Sequence, residues 1–297
     1  MRDVLIALIP ATVVAIAYFG LNALILVVAA VASAVLSEFA IQKLTHEKVT
    51  ISDCSAAVTG LLLALNLPAG CRWWVAVLGS AFAIVIVKQA FGGLGQNFMN
   101  PALAARAVLM TAYPAMMSGS AYKAPAFMGD AVSGATPLAL LKEGYTASVP
   151  YTWEMLLGLR GGVIGEVCIL ALVIGFVYLL IRQVITWHIP VIYIGIVFLG
   201  VLLIHDFNLE MAAVYTLSGG LFLGAIFMAT DYTTNPNTIA GQCICAAGCA
   251  VLTLCIRQFS SLPEGVSYSI LMMNLVTPLI DRYVNPLLFG RRKRNVA

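Results

Sequence analysis

Apolar residues run through this chain in long unbroken stretches, with polar residues gathered in the gaps between them. The stretches fall at Val4–Phe19, Asn22–Ile41, Ala56–Leu67, Trp73–Val87, Pro101–Met117, Gly162–Ile181, Ile189–Ile204, Met211–Ala229, Ile239–Ile256 and Val266–Leu288. None alternates with the period of two that marks an outer-membrane barrel strand. A helix crossing a bilayer needs about 20 apolar residues, so the pattern predicts an all-α, polytopic membrane protein of about ten transmembrane helices. Two stretches are short: Ala56–Leu67 stops at Asn66-Leu67-Pro68, and Pro101–Met117 follows a run of Gly and Asn.

Composition agrees. Of 297 residues, 61% are hydrophobic and 10% charged, and the mean hydropathy is +0.97. Soluble domains carry roughly 25% charged residues, so lipid is the expected solvent. A net charge of +3 gives no reason to expect nucleic acid. Most of the cysteines (Cys168, Cys243, Cys245, Cys249, Cys255) lie in apolar stretches, where a thiol behaves as a small hydrophobe. Cys243-Ile244-Cys245 lacks the histidines that would complete a ligand set, so no metal is expected. Val4–Phe19 follows a single Arg and has no clean small-residue cleavage site, which favours a retained helix over a signal peptide.

The long polar insertion 118–160 divides the chain into membrane halves 1–117 and 161–290, with a basic tail at 291–297. Gly60-Leu-Leu-Leu-Ala echoes Gly220-Leu-Phe-Leu-Gly, and Lys88-Gln89 echoes Arg257-Gln258. An odd number of spans per half would make such a repeat inverted, an architecture that places binding sites near the midplane. Lys43, Lys48, Arg182 and the tail Arg291-Arg292-Lys293-Arg294 put both termini in the cytoplasm and the insertion outside.

Three polar features sit where lipid penalises them. In Phe91-Gly-Gly-Leu-Gly-Gln-Asn-Phe-Met-Asn-Pro-Ala, the residues Gly92, Gly93 and Gly95 allow close backbone approach to a ligand, while Asn97 and Asn100 offer amides. Pro101 suits the first turn of a helix. A dinucleotide fingerprint fails here because a membrane helix, not a strand, precedes the glycines. A packed re-entrant turn is the alternative, and Arg106 just beyond tilts the balance toward a site, since intramembrane charges face an interior. The second feature is Gly165-Glu166. The third is Met228-Ala229-Thr230-Asp231, where Asp231 is either a cation ligand or a solvated helix cap. On polarity alone Thr136, in Asp130-x-x-Ser133-Gly134-Ala135-Thr136, is an ordinary linker residue.

These segments together resemble the RnfD/NqrB family of membrane subunits from ion-pumping oxidoreductases. The resemblance continues through Pro263-Glu264-Gly265-Val266 to Asn274-Leu275-x-x-Pro278-Leu279-Ile280-Asp281 and covers nearly the whole chain. It implies electron transfer between ferredoxin and NAD⁺ coupled to Na⁺ or H⁺ movement, within a complex of other membrane and peripheral subunits. It also implies FMN joined covalently to Thr136 through its phosphate, on the outer face of the cytoplasmic membrane. Asp130, Ser133, Gly134 and Ala135 would serve recognition by a flavin transferase. A second, noncovalent flavin (riboflavin) is expected within the membrane part, with Gly92, Gly93, Gly95, Asn97, Asn100 and Arg106 as candidate contacts. Glu166 and Asp231 are the candidate ion-coupling carboxylates. A stand-alone solute channel or transporter is the competing reading, and a structural scaffold is disfavoured by the embedded charges.

Overall fold

A computed structural model of the chain describes residues 1–46, 48–118, 121–123, 125, 136–142, 152–158, 160–166, 168–260 and 265–284, and the structural statements here concern those residues. They form an all-helical bundle. Helix α1 (Arg2–Phe19) meets α2 (Leu21–Leu44) at Gly20, whose φ of 66° turns the chain. There follow α3 (Ser55–Leu65), α4 (Trp73–Phe91), α5 (Pro101–Ala112), α6 (Pro114–Met117), α7 (Pro137–Lys142) and α8 (Thr152–Leu157). The second half contains α9 (Ile169–Ile181), α10 (His188–Ile204), α11 (Leu209–Leu217), α12 (Leu221–Met228), α13 (Ile239–Phe259) and α14 (Val266–Tyr283).

Each apolar stretch of the sequence holds a helix. Four of them (α1, α2, α4 and α13) are long and apolar enough to cross a membrane, and α11 with α12 forms a fifth candidate bent by 62°. The rest are shorter or more polar. Outward-facing residues such as Leu21, Leu44, Ile181 and Leu203 are more than half exposed. In water each would forfeit roughly 25 cal/mol per Å² of apolar surface, so this face suits lipid and the chain is a polytopic membrane protein.

The short helices have a physical cause. Helix α3 ends at Asn66, and its free carbonyls are taken by an extended segment: Gly165 N–H donates to Leu65 O at 2.8 Å and Ile164 N–H to Leu67 O at 3.0 Å. Residue 165 must be glycine, because a Cβ there would lie 2.5 Å from Leu65 Cβ. The expected helix Gly162–Ile181 therefore starts only at Ile169. Similarly, Met211–Ala229 breaks at Gly219 and Gly220, with φ 65° and 44°. Arg257 covers the exposed carbonyls there, donating to Tyr215 O (2.6 Å), Ser218 O (3.0 Å) and Gly219 O (2.9 Å). Broken backbone at membrane depth survives only where protein satisfies it in this way.

The two halves pair their helices alike. Helix α2 packs on α3 and α4, α10 packs on α11 and α13, and α1 lies against α9 across the halves. Two ends of the bundle follow. At the first end, Tyr178 and Arg182 donate to Asp3 Oδ1, and Tyr232 donates to Val184 O. At the second end, Tyr18 donates to Leu157 O, Gly70 N–H to Ala121 O, and Lys142 to Ser260 O.

Candidate functional site

A small cavity of about 70 Å³ lies between the halves at the first end, partly open to solvent. Its polar lining comes from Ser55, Thr59, Lys88, Asn97, Asn100, Thr230, Asp231 and Thr233, and the more exposed Met1, Val4, Leu94, Ile185 and Tyr232 stand at its mouth. Asn100 is the N-cap of α5: its Oδ1 accepts from Ala102 N (3.0 Å) and Leu103 N (3.4 Å), with Pro101 in the first turn. Its Nδ2 donates across to Met228 O at 3.4 Å. Asn97 Nδ2 donates to Thr233 Oγ1 at 3.0 Å, and the Thr233 hydroxyl donates in turn to Asp231 Oδ2 at 3.1 Å. Burial pushes the Asp231 carboxyl above the usual range, with the Thr233 hydroxyl opposing the shift. Asp231 does not cap the following helix; Thr238 does, accepting from Gly241 N at 3.0 Å.

The sequence-predicted residues thus separate into three places. Asn97, Asn100 and Asp231 meet at the cavity. Gly92, Gly93 and Gly95 form the adjoining turn but are not among the cavity's lining residues. Their φ values of 107°, 89° and 91° account for glycine there, because nothing crowds the site of a Cβ beyond ordinary contact. Their positive φ values give these glycines a conformational role in shaping the turn.

Arg106 lies elsewhere, in the bundle interior. Its Nη1 donates to Asn66 Oδ1 (2.8 Å) and Ser267 Oγ (3.2 Å). A Cβ on Gly220 would stand 4.0 Å from Arg106 Nη1 and 3.8 Å from Glu166 Oε2, so guanidinium and carboxylate flank the same glycine. Arg160 donates to the Glu166 backbone carbonyl at 2.9 Å. Arg106, Arg160 and Glu166 are all buried. Charge–charge attraction in this poorly solvated place offsets part of the cost of burying them.

Thr136 lies at the second end, immediately before α7, and is itself buried. Its Oγ1 accepts from Ala139 N at 3.3 Å. Leu138 packs where a Cβ on Gly219 would fall, and Lys142 reaches Ser260 past the end of α13. Burial, and then the neighbouring Arg257, push the Lys142 amine down. Asp130, Ser133, Gly134 and Ala135 lie outside the described residues. The cavity adjoins the loop before α13, and Thr136 stands near its far end. A helix of 21 residues at 1.5 Å per residue puts these places roughly 30 Å apart.

Sequence reasoning missed several cavity residues. Lys88 and Ser55 were hidden at the ends of apolar stretches, although a charge closing an apolar run was a usable signal for Lys88. Asn66 and Ser267, the partners of Arg106, carry no local signal and appear only through packing.

The model of the NQR2, RnfD, RnfE family matches residues 1–290. A relative from Acetobacterium woodii, named as a subunit of the Na⁺-translocating ferredoxin:NAD⁺ oxidoreductase complex, is 50% identical over 99% of this chain and 91% of its own length. One from Clostridium ljungdahlii, named as the corresponding subunit of a proton-translocating ferredoxin:NAD⁺ oxidoreductase complex, is 42% identical over 99% of this chain and 92% of its own length. An Escherichia coli protein, named as a subunit of an ion-translocating oxidoreductase complex, is 34% identical, covering 99% and 94%. With matches of this extent on a helical, lipid-facing bundle, the chain belongs to the NQR2, RnfD, RnfE family.

Proposed function

We propose that this chain is a membrane subunit of an ion-translocating ferredoxin:NAD⁺ oxidoreductase complex, active only with the other subunits, and that it carries electrons on flavin. The observation that carries the reading is the end-to-end identity of 50% with a relative named as a subunit of such a complex. Its two well-matched relatives are named for different ions, Na⁺ and H⁺, so the ion is not assigned.

FMN on Thr136 is the finer part of the proposal. The hydrogen bond at Thr136 suits it: Oγ1 accepts from Ala139 N–H, as an ester oxygen still does. In this reading Asp130, Ser133, Gly134 and Ala135, which precede Thr136 in sequence, are the recognition residues for a flavin transferase. At the cavity, Asn97 Oδ1 can accept and the second Asn100 Nδ2–H can donate, matching the mixed edge of a flavin such as riboflavin. The free space of about 70 Å³ is smaller than a tricyclic ring, so the walls must part to admit one. Bound flavin supplies one- and two-electron chemistry, while the protein supplies orientation and electrostatics.

Asp231 faces the same cavity, so its preference for a proton or cation depends on the charge held there. Coupling demands such a differential affinity. Glu166, against Arg106, is the second candidate for assisting cation movement. With Lys43, Lys48 and Arg182 at the first end, the positive-inside rule puts the cavity and both termini on the cytoplasmic side and Thr136 outside.

The test is in-gel fluorescence of the denatured chain, purified after expression with and without the flavin transferase. Transferase-dependent fluorescence that survives denaturation supports the reading. Its absence favours a stand-alone channel or transporter, for which broken helices are also suited.

A further inference from the structure

We propose that Asp53, Ser55 and Lys88 form a proton relay that connects solvent at the first end of the bundle to the cavity. The proposal rests on the reading that an electron carrier is reduced in that cavity.

The geometry is a continuous chain. Lys88 lines the cavity, is 2% exposed, and donates from Nζ to Ser55 Oγ at 2.5 Å. Ser55, also on the cavity wall, donates its hydroxyl to Asp53 Oδ1 at 2.7 Å. The Ser55 backbone N–H donates to the same oxygen at 2.7 Å, which fixes the carboxylate against the start of α3. Asp53 is partly exposed and stands beside the exposed Ser52, so the outer end of the chain meets water. Every link is within normal proton-transfer reach.

Glu38 explains why an ammonium can rest there. It is 1% exposed, and its Oε1 accepts from Lys88 at 2.6 Å and from Gln89 at 2.9 Å. Its Oε2 is buried with no hydrogen-bond partner among the described residues. Glu38 is therefore the counter-charge, while the hydroxyl side of Lys88 leads outward. A buried ion pair contributes little to stability by itself, and this one holds a proton donor at a cavity wall. Lys88 ends a π-helical turn, Ala83–Lys88, a distortion that recurs at functional sites.

The proton balance is simple. A flavin held in the cavity would supply the electron chemistry, and electrons arriving there would leave negative charge beside Lys88. Lys88 would then give up one N–H proton to the cavity. The neutral amine then takes the proton of the Ser55 hydroxyl, which is replaced from the Asp53 carboxyl, itself protonated from water. One proton leaves solvent and one is gained in the cavity. The observed bonds run from Lys88 through Ser55 to Asp53, the charged resting arrangement, so the Ser55 hydroxyl must reverse to reload Lys88.

The experiment uses the purified complex with its flavins, reduced by titanium(III) citrate in a stopped-flow spectrometer. The absorbance of the noncovalent flavin distinguishes the anionic from the protonated reduced ring. Asp53→Asn, which removes the acid but leaves the cavity lining intact, is expected to slow protonation by about a hundredfold, and Asp53→Glu to restore it. Ser55→Ala should slow the same step, and Ser55→Thr should not. Protonation at the wild-type rate in Asp53→Asn, with the noncovalent flavin present, overturns the relay. If denaturation of the wild-type complex releases no flavin while covalent FMN stays on the chain, the carrier reading of the cavity fails and the relay with it.

Discussion

Asn100 holds two chain breaks together: one side-chain oxygen starts α5, while its Nδ2 reaches the carbonyl of Met228 at the end of α12, 3.4 Å away. A single amide thus ties the first half of the chain to the second at the cavity floor. Asn100→Ala removes both bonds. Loss of the cap alone costs about 1 kcal/mol, and the cavity loses an amide. The expected outcome is less noncovalent flavin with covalent flavin retained, read by acid extraction against in-gel fluorescence. Equal loss of both flavins would mean that the two places are not independent.

The turn before α5 depends on backbone conformation. Gly93 has φ 89°, and a Cβ there would meet Gln89 Oε1 only at an ordinary contact of 3.6 Å, so the backbone strain of Gly93→Val is about 1–2 kcal/mol. Gly93→Asn, a residue that tolerates positive φ, should cost less. Thermal unfolding in detergent together with flavin content tests this ordering. Identical behaviour of Val and Asn would show that side-chain size, not φ, governs the position.

Arg257 supports the broken helix. In Arg257→Met, three carbonyls lose their donor, each costing about 1–3 kcal/mol when buried. Sharply reduced yield of folded protein is expected, with partial recovery in Arg257→Lys. A normally folded Met variant would show that the carbonyls of Tyr215, Ser218 and Gly219 find other donors.

Asp231 gives a signed pH effect. Its carboxyl is raised by burial above the ordinary 3.8, so the folded chain binds this proton more tightly than the unfolded chain does. Stability is therefore lost as pH rises from the ordinary value through the raised one. Asp231→Asn escapes this loss, and its Tm relative to wild type should climb as pH rises above 3.8. A difference independent of pH would contradict the burial argument.

Glu166→Gln and Asp231→Asn also test coupling, if electron transfer and ion uptake are read separately in the assembled complex. At least one is expected to lose uptake while electrons still flow. Unchanged pumping in both places the ion path outside these carboxylates.

Much of the bundle was legible in the sequence because lipid leaves only apolar runs as crossing elements, and each run holds a helix. What was not legible came from packing. Nothing local in Gly162–Val163–Ile164 distinguishes a helix from the extended segment that covers the end of α3. Arg106 looked like a companion of Asn97 and Asn100, since it follows them closely in sequence. Helix α5 carries it away from the cavity, toward Asn66 and Ser267. The cavity itself joins residues more than 130 positions apart, as in the Asn97–Thr233 bond, and no sequence period reports that.

The most direct measurement is peptide mass spectrometry of the chain purified from cells that contain the flavin transferase. The peptide containing Thr136 is expected to carry the added mass of FMN. Thr136→Ala should lose that mass while the chain still assembles, and Thr136→Ser should keep part of it. An unmodified Thr136 peptide in a fully assembled, electron-transferring complex, or FMN retained on the Ala variant, would contradict the assignment of this chain as a covalent flavin carrier.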